Sequence, residues 1–364
     1  MGRIMELGLA TFADLPAGMS PQQRMRDLLE EVKLADELGL DVFAIGEHHR
    51  PDYLISSPSV ALGAAAAITE KIRLSSAVTV LSSEDPVRVF QQFAEIDLIS
   101  GGRAEIMAGR GSFIESFPLF GKSLDDYDDL YLENLELLLA LRDGNPVTWS
   151  GKFRPALDNA SIYPRPVQDP LPVWVAVGGS PQSVVRAASL GLPLTIAIIG
   201  GQLERFRPLV ELYREAWEAV GHDPADARIA INTHTYVGAD EQEADQRFAP
   251  GYLESMNRIG RERGWPPSGL EEFRAMRSPR GALHAGSSEQ VAEKILHGHE
   301  LFGNQRYLGH ISLGSVAHAD VLAAMERFGT EVAPVVRAEV ARREASAAAT
   351  ADDATATAAA APSA

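Results

Sequence analysis

The chain contains no cysteine. Disulfides, a thiolate nucleophile and cysteine-based zinc sites are therefore excluded, and a reducing compartment fits. No run of about 18 apolar residues is present, so no segment reads as a membrane span. The opening Met1-Gly-Arg-Ile-Met-Glu6 lacks the apolar stretch of a signal peptide, and the expectation is a cytoplasmic protein. Positive charge is in short supply, with 33 Lys+Arg against 50 Asp+Glu and a formal charge of -17. Long-range repulsion then disfavours nucleic acid and anionic membranes as partners, leaving room for a local basic pocket. No Gly-x-Gly-x-x-Gly follows a strand and no Walker sequence occurs, so neither a Rossmann cofactor nor a P-loop nucleotide is indicated.

What is present is a regular alternation. At 364 residues and 45% hydrophobic, the chain can bury one large core or two ordinary ones. Apolar runs at Leu7–Phe12, Leu40–Gly46, Ile72–Val80, Ala104–Ala108, Val173–Val177, Pro193–Ile199, Ile229–Val237 and Tyr307–Leu313 read as strands. Helical spacing separates them, at Pro21–Leu38, Ser57–Thr69, Pro86–Ser100, Tyr127–Leu141, Gln182–Leu190, Leu203–Val220, Glu241–Arg263 and Glu289–Phe302, with Ala319–Val340 closing the chain. Pro146–Pro166, rich in Pro, Gly and aromatics, reads as an inserted hairpin or loop. Eight strands with intervening helices and no linker-like break predict an α/β fold, a single (β/α)8 TIM barrel over residues 1–344. The Ala/Thr-rich tail, 345–364, has too little apolar area to offset its ordering entropy and is expected to be disordered.

Three segments carry chemistry. Glu47-His48-His49 follows an apolar strand, at the carboxyl end where such folds place their sites. Neighbouring side chains there point in different directions, so the three cannot converge on one atom. A metal would need ligands from elsewhere, and no His-Glu-x-x-His spacing supplies them. A structural hydrogen-bonding role and a proton-transfer or cofactor role for at least one histidine remain. In Ala108-Gly-Arg-Gly-Ser112, Arg110 offers a fixed charge to a phosphate or carboxylate, with the alternative of a tight turn bearing a surface arginine. In Val177-Gly-Gly-Ser-Pro-Gln-Ser183, Ser180 reads as an N-cap with Pro181 behind it. Gly179, Ser180 and Ser183 would then offer an anion site or an ordinary capped helix. Ser287-Ser-Glu-Gln290 reads as a structural capping box.

Taken in this order, together with Ser75-Ser-Ala-Val-Thr-Val-Leu81, Pro86-Val87-Arg88 and Ser100-Gly-Gly-Arg103, these segments resemble the bacterial luciferase-like flavin-dependent monooxygenases. The likeness runs from about Glu6 to Val340, and within the family it is nearest to FMN-linked oxidoreductases. It implies a luciferase-like barrel in which His48 lies beside the flavin and assists proton transfer. Ala77-Val78 would form a non-proline cis peptide against the isoalloxazine, and Arg110, Gly179, Ser180 and Ser183 would hold the flavin phosphate. Gly109 stands where luciferase has a reactive cysteine, and Ile198 where it has a tryptophan, which argues against light emission.

The activity implied is oxidation of a small organic substrate by reduced FMN and O₂, with no metal, the reduced flavin coming from a separate flavin reductase. Alternatives are an F420- or NAD(P)H-linked oxidoreductase on the same barrel, or a non-catalytic flavin-binding protein. A homodimer is implied by the family alone. Phe113, Phe117 and Phe120 either line an apolar pocket or pack the loop.

Overall fold

The computed structural model describes residues 5–359, with side chains described as far as residue 347. Eight parallel strands close a ring, β1 (Glu6–Thr11), β2 (Val42–Ile45), β3 (Arg73–Ser76), β4 (Ala104–Gly109), β5 (Val173–Val177), β6 (Leu194–Ile198), β7 (Ile229–Val237) and β8 (Arg306–His310). Each pairs with the next, and β8 returns to β1 with Glu6 opposite Arg306. The barrel expected from the alternation is the fold observed.

Helix starts are written into the sequence. Ser20 and Pro21 open helix α1 (Pro21–Glu37), and Asp85 accepts from the amides of Val87 and Arg88 to open the helix Pro86–Ser100. Gly101, at φ 69°, ends the latter in the left-handed region that suits glycine. The Ser287/Gln290 capping box opens the helix Ser288–Phe302, as expected.

Two strands differ from expectation. The run Ile72–Val80 breaks into β3 and a short piece, Thr79–Val80, on either side of a cis Ala77–Val78 peptide. The last strand stops at His310 because Ser312, at φ 64°, leaves the extended region. Pro146–Pro166 contains the antiparallel hairpin Val147–Trp149 and Leu157–Ala160. The helix Leu270–Arg277 and the short strand His284–Gly286, which pairs with the end of β7, were not foreseen. The terminal helix Ala333–Ala359 runs through most of the tail, whose last five residues, 360–364, lie outside the described ones, as do residues 1–4 of the opening hexapeptide. No helix among the described residues is long and apolar enough to cross a membrane.

Alternation along each strand separates two cores. Outward side chains pack under the helices in one large cluster, while Val42, Met107, Trp174, Ala230 and Leu308 form a small inner cluster. At the amino ends of the strands the interior is plugged by charge. Arg306, 0% exposed, lies 2.7 Å from both Glu6 and Glu105, with its guanidinium 4.2 Å from the Trp174 ring centroid. This fills the bottom of the barrel, so the cavity lies at the carboxyl ends.

Asp14 ties the loops at that upper rim. Its Oδ2 accepts from the Gly314 amide (2.7 Å) after β8 and from the Ser255 hydroxyl (3.1 Å). Its backbone also bridges to Tyr53, which touches the candidate site. Burial pushes the carboxyl up to about 6, against the pull of the Gly314 amide, Ser255, Arg258 and Arg24. A carboxyl raised on folding stabilises fully below its unfolded pKa and loses that contribution as pH rises through the folded value. Asp14→Asn removes this loss. Its stability relative to the parent is expected to climb between about pH 4 and pH 6, by up to roughly 3 kcal/mol. Chemical denaturation of both proteins across that window checks it, and a pH-independent difference would contradict it.

Candidate active site

A cavity of about 310 Å³ opens at the carboxyl ends of the strands. Phe12 follows β1, Glu47 and His48 follow β2, and Ala77, Val78 and Val80 come from the interrupted third strand. The fourth strand and its turn supply Met107, Gly109, Arg110, Gly111 and Ser112. Ala176, Val177 and Gly178 close one side, and Thr195, Ala197, Asn232 and Leu308 form the floor. The walls are mostly apolar, with a few polar atoms aimed inward, the usual build of a small-molecule site.

The three acid–base side chains after β2 diverge as their spacing requires. His49 Nε2 lies 2.9 Å from Glu47 Oε1, and the other Glu47 oxygen accepts from the Val80 amide at 3.0 Å. Glu47 thus orients His49 and pins the strand beyond the cis peptide. Its hydrogen bond to the His49 ring, more than the opposing burial, holds His49 above its ordinary pKa. His48 turns to the cavity instead. It is 7% exposed, packs against Phe12 and Tyr53 at 4.5 Å and Phe113 at 4.8 Å between ring centroids, and its Nε2 has no hydrogen-bond partner.

Arg110 lies at the other end of the cavity, 2.5 Å from Asp128 and 5.3 Å from the Tyr127 ring centroid. Tyr127 itself donates to the Gly111 carbonyl at 2.8 Å, fixing the turn that presents Arg110. The space above Gly109 is taken by a side chain: a Cβ there would come within 2.7 Å of Val78 Cγ2. Glycine at this position therefore admits Val78 while still lining the cavity.

Gly179, Ser180 and Ser183 do not line the cavity, whose wall ends at Gly178. They lie just beyond it, at the start of the helix Pro181–Ser189, where Ser180 caps the Ser183 amide at 3.4 Å. One turn into that helix, Arg186 Nη1 is buried without a partner, as is the hydroxyl of Tyr131, over whose ring the Arg186 guanidinium sits at 5.9 Å. Arg110 also acts on the Tyr131 hydroxyl electrostatically. Two guanidinium groups, an orphan phenol and a helix amino end thus collect at one side of the cavity, a donor set suited to an anion.

Of the three phenylalanines, Phe113 packs on His48, Phe117 is buried and stacks on Tyr127, and Phe120 is 43% exposed beside His49. Sequence reasoning missed Thr195, whose Oγ1 is buried without a partner, and Asn232, whose amide donates to the Leu308 carbonyl at 3.0 Å. Both were signalled by a polar residue at an inward position of an apolar strand. Tyr127, Tyr131 and Arg186 carried no such signal.

Residues 5–305 match the family model described as luciferase-like monooxygenase. An uncharacterised protein of Sinorhizobium fredii, y4vJ, is 25% identical over 88% of this chain and 94% of its own. Among solved structures, the monooxygenase RslO1 from Streptomyces bottropensis superimposes with TM-score 0.80 at 26% identity, covering 91% of this chain and 99% of its own. The oxygenating constituent of 3,6-diketocamphane monooxygenase from Pseudomonas putida, solved in complex with FMN, shares the fold at TM-score 0.73 and 20% identity, over 91% of this chain and 98% of its own.

Proposed function

Because this chain belongs to the luciferase-like monooxygenase family, we propose that it is an FMN-dependent monooxygenase that uses reduced flavin and O₂ to oxidise a small organic substrate. The observation that carries the reading is a single apolar cavity joining an unpartnered, buried imidazole nitrogen of His48 to the cationic end at Arg110. A flavin has the matching parts. Arg110 and Arg186, with Ser180 and Ser183 at the helix amino end, suit its phosphate. Val78, Met107, Ala176 and Leu308 suit an apolar ring, and Thr195 and Asn232 suit its polar edge.

Bound reduced flavin would supply the electrons that activate O₂. The protein's part is positional and protonic. Arg110, now paired with Asp128, would hold the flavin phosphate and so fix where the ring lies. The apolar walls keep water from the reacting centre, and His48 holds or accepts a proton at Nε2.

Anaerobic titration of the purified protein with reduced and oxidised FMN tests this directly, with F420 as a parallel arm. Stoichiometric FMN binding followed by O₂ consumption is expected. Binding of F420 alone would move the protein to a hydride-transferring reading, and binding of no flavin would sink the proposal. Loss of one charge-assisted contact predicts that Arg110→Ala weakens FMN about 10- to 100-fold.

A further inference from the structure

His48 has a second ring nitrogen, and the groups around it are few. Its Nδ1 lies 3.7 Å from Glu115 Oε1, and the His48 side chain is 6% exposed against 23% for Glu115. The other titratable groups facing the imidazole are Tyr53, at 4.5 Å between ring centroids, and His310, reached through Phe12, which lies 4.5 Å from each histidine ring. Arg50 and Arg263 stand beyond Phe113, at 4.6 Å and 5.4 Å from its ring centroid. Glu47 is committed to His49 and the Val80 amide. Burial pushes His310 well down, so it stays neutral. Glu115 is thus the carboxylate presented to His48.

A neutral imidazole carries one proton, and the nitrogen that meets an acceptor keeps it. We propose that Glu115 is the positioning residue for His48: its carboxylate takes the Nδ1–H and leaves Nε2 as the unprotonated ring nitrogen. Three observations support it. Nε2 is buried and has no partner, so an Nε2–H tautomer would bury an unsatisfied donor. Burial alone would raise the Glu115 carboxyl, yet the nearby His48 and the backbone amides of residues 115 and 49 take it below its ordinary value, so it is ready to accept. At 3.7 Å Nδ1 lies just beyond hydrogen-bond distance of the carboxylate, and such catalytic contacts tighten when a ligand closes the site. Glu115 also rides on the turn that carries Arg110, with Ser112 O held by Arg263 at 3.1 Å between them. The anion anchor and the residue that sets the His48 proton therefore share one short loop.

The inference deepens the monooxygenase reading and rests on it for its kinetic arm alone. The structural arm is ¹⁵N NMR of histidine-labelled full-length protein without flavin, at about pH 8, above the ordinary imidazole pKa. His48→Ala assigns the signal among the nine histidines. The parent is expected to show the Nδ1–H tautomer at His48, and Glu115→Ala to move it toward Nε2–H. The same tautomer in both proteins, or Nε2–H in the parent, overturns the proposal. In the kinetic arm Glu115→Ala is expected to lower kcat about 10- to 100-fold, the usual cost of losing a group that orients a histidine. FMN affinity should stay nearly constant, and Glu115→Asp should recover part of the rate. Equal losses in kcat and FMN affinity would mark Glu115 as a mere loop support and overturn it too. If the parent binds no FMN, the FMN-monooxygenase reading fails while the tautomer result still decides the role of Glu115.

Discussion

His48→Ala is expected to lower turnover by about 10² to 10⁴-fold, the range lost with a positioned proton-transfer group, while FMN affinity changes little. The size of the effect follows from where the imidazole sits. The residue lines the cavity with its Nε2 buried and unpartnered, so the ring adds little to holding a ligand whose charge is met at Arg110. Its flanking rings, Phe12, Tyr53 and Phe113, keep bulk water from replacing it in proton transfer. The measurement is paired: steady-state turnover with a flavin reductase present, and an anaerobic FMN titration of the same variant. A matched fall in turnover and affinity would assign His48 to binding. An unchanged turnover would remove it from the chemistry. His49→Ala provides the contrast, because His49 faces Glu47 and lies outside the cavity lining, and its effect should be chiefly on stability.

The largest structural loss is expected at the opposite end of the barrel. Arg306→Met leaves Glu105, which is 2% exposed, and Glu6 without the guanidinium that compensates them. Breaking one partner out of a buried ion cluster costs about 3 to 5 kcal/mol, mostly because the remaining charge stays buried. Arg73, 3.2 Å from Glu105, and Arg228, 2.9 Å from Glu6, are the remaining cations, and both are partly exposed. Methionine preserves packing against Trp174, so the experiment isolates the charge. The denaturation midpoint of Arg306→Met should fall steeply, and Glu105→Gln placed in the same chain should restore a good part of it. An unaltered midpoint would mean that the cluster contributes no net stability. Acid exposes the same cluster. Burial would raise the Glu6 carboxyl, but Arg306 and Arg228 hold it below its ordinary value, so its contribution is present above the unfolded pKa and disappears as pH falls through the folded one.

Much of this molecule is legible before folding is considered. Each of the eight strands is a short apolar run, and helix starts carry their own markers at Ser20-Pro21, Asp85-Pro86 and Ser180-Pro181. The strand-end position of Glu47-His48-His49 could be read because an apolar run stops there. Glu115 was invisible because a glutamate in a loop has no periodicity to mark it, and its meeting with His48 depends on how the turn after β4 folds back. Tyr131 and Arg186 lie 55 residues apart in the chain, on different helices, and no local pattern relates them. Thr195 and Asn232 stood in plain view as polar breaks in apolar strands, but only a closed barrel turns those two faces into one floor.

By itself, then, the sequence determined the repeating strand–helix alternation, the caps that punctuate it and the family signature around His48 and Arg110. Those are local properties, carried by hydrophobic period, turn chemistry and spacing. The tertiary structure decided that Glu47 and His48, but not His49, line the cavity and that Val78 fills the space above Gly109. It also decided that Gly179, Ser180 and Ser183 stand just outside the wall, and that Glu115 reaches His48. These are outcomes of ring closure, which sets residues far apart in the chain at distances that neither period nor propensity encodes.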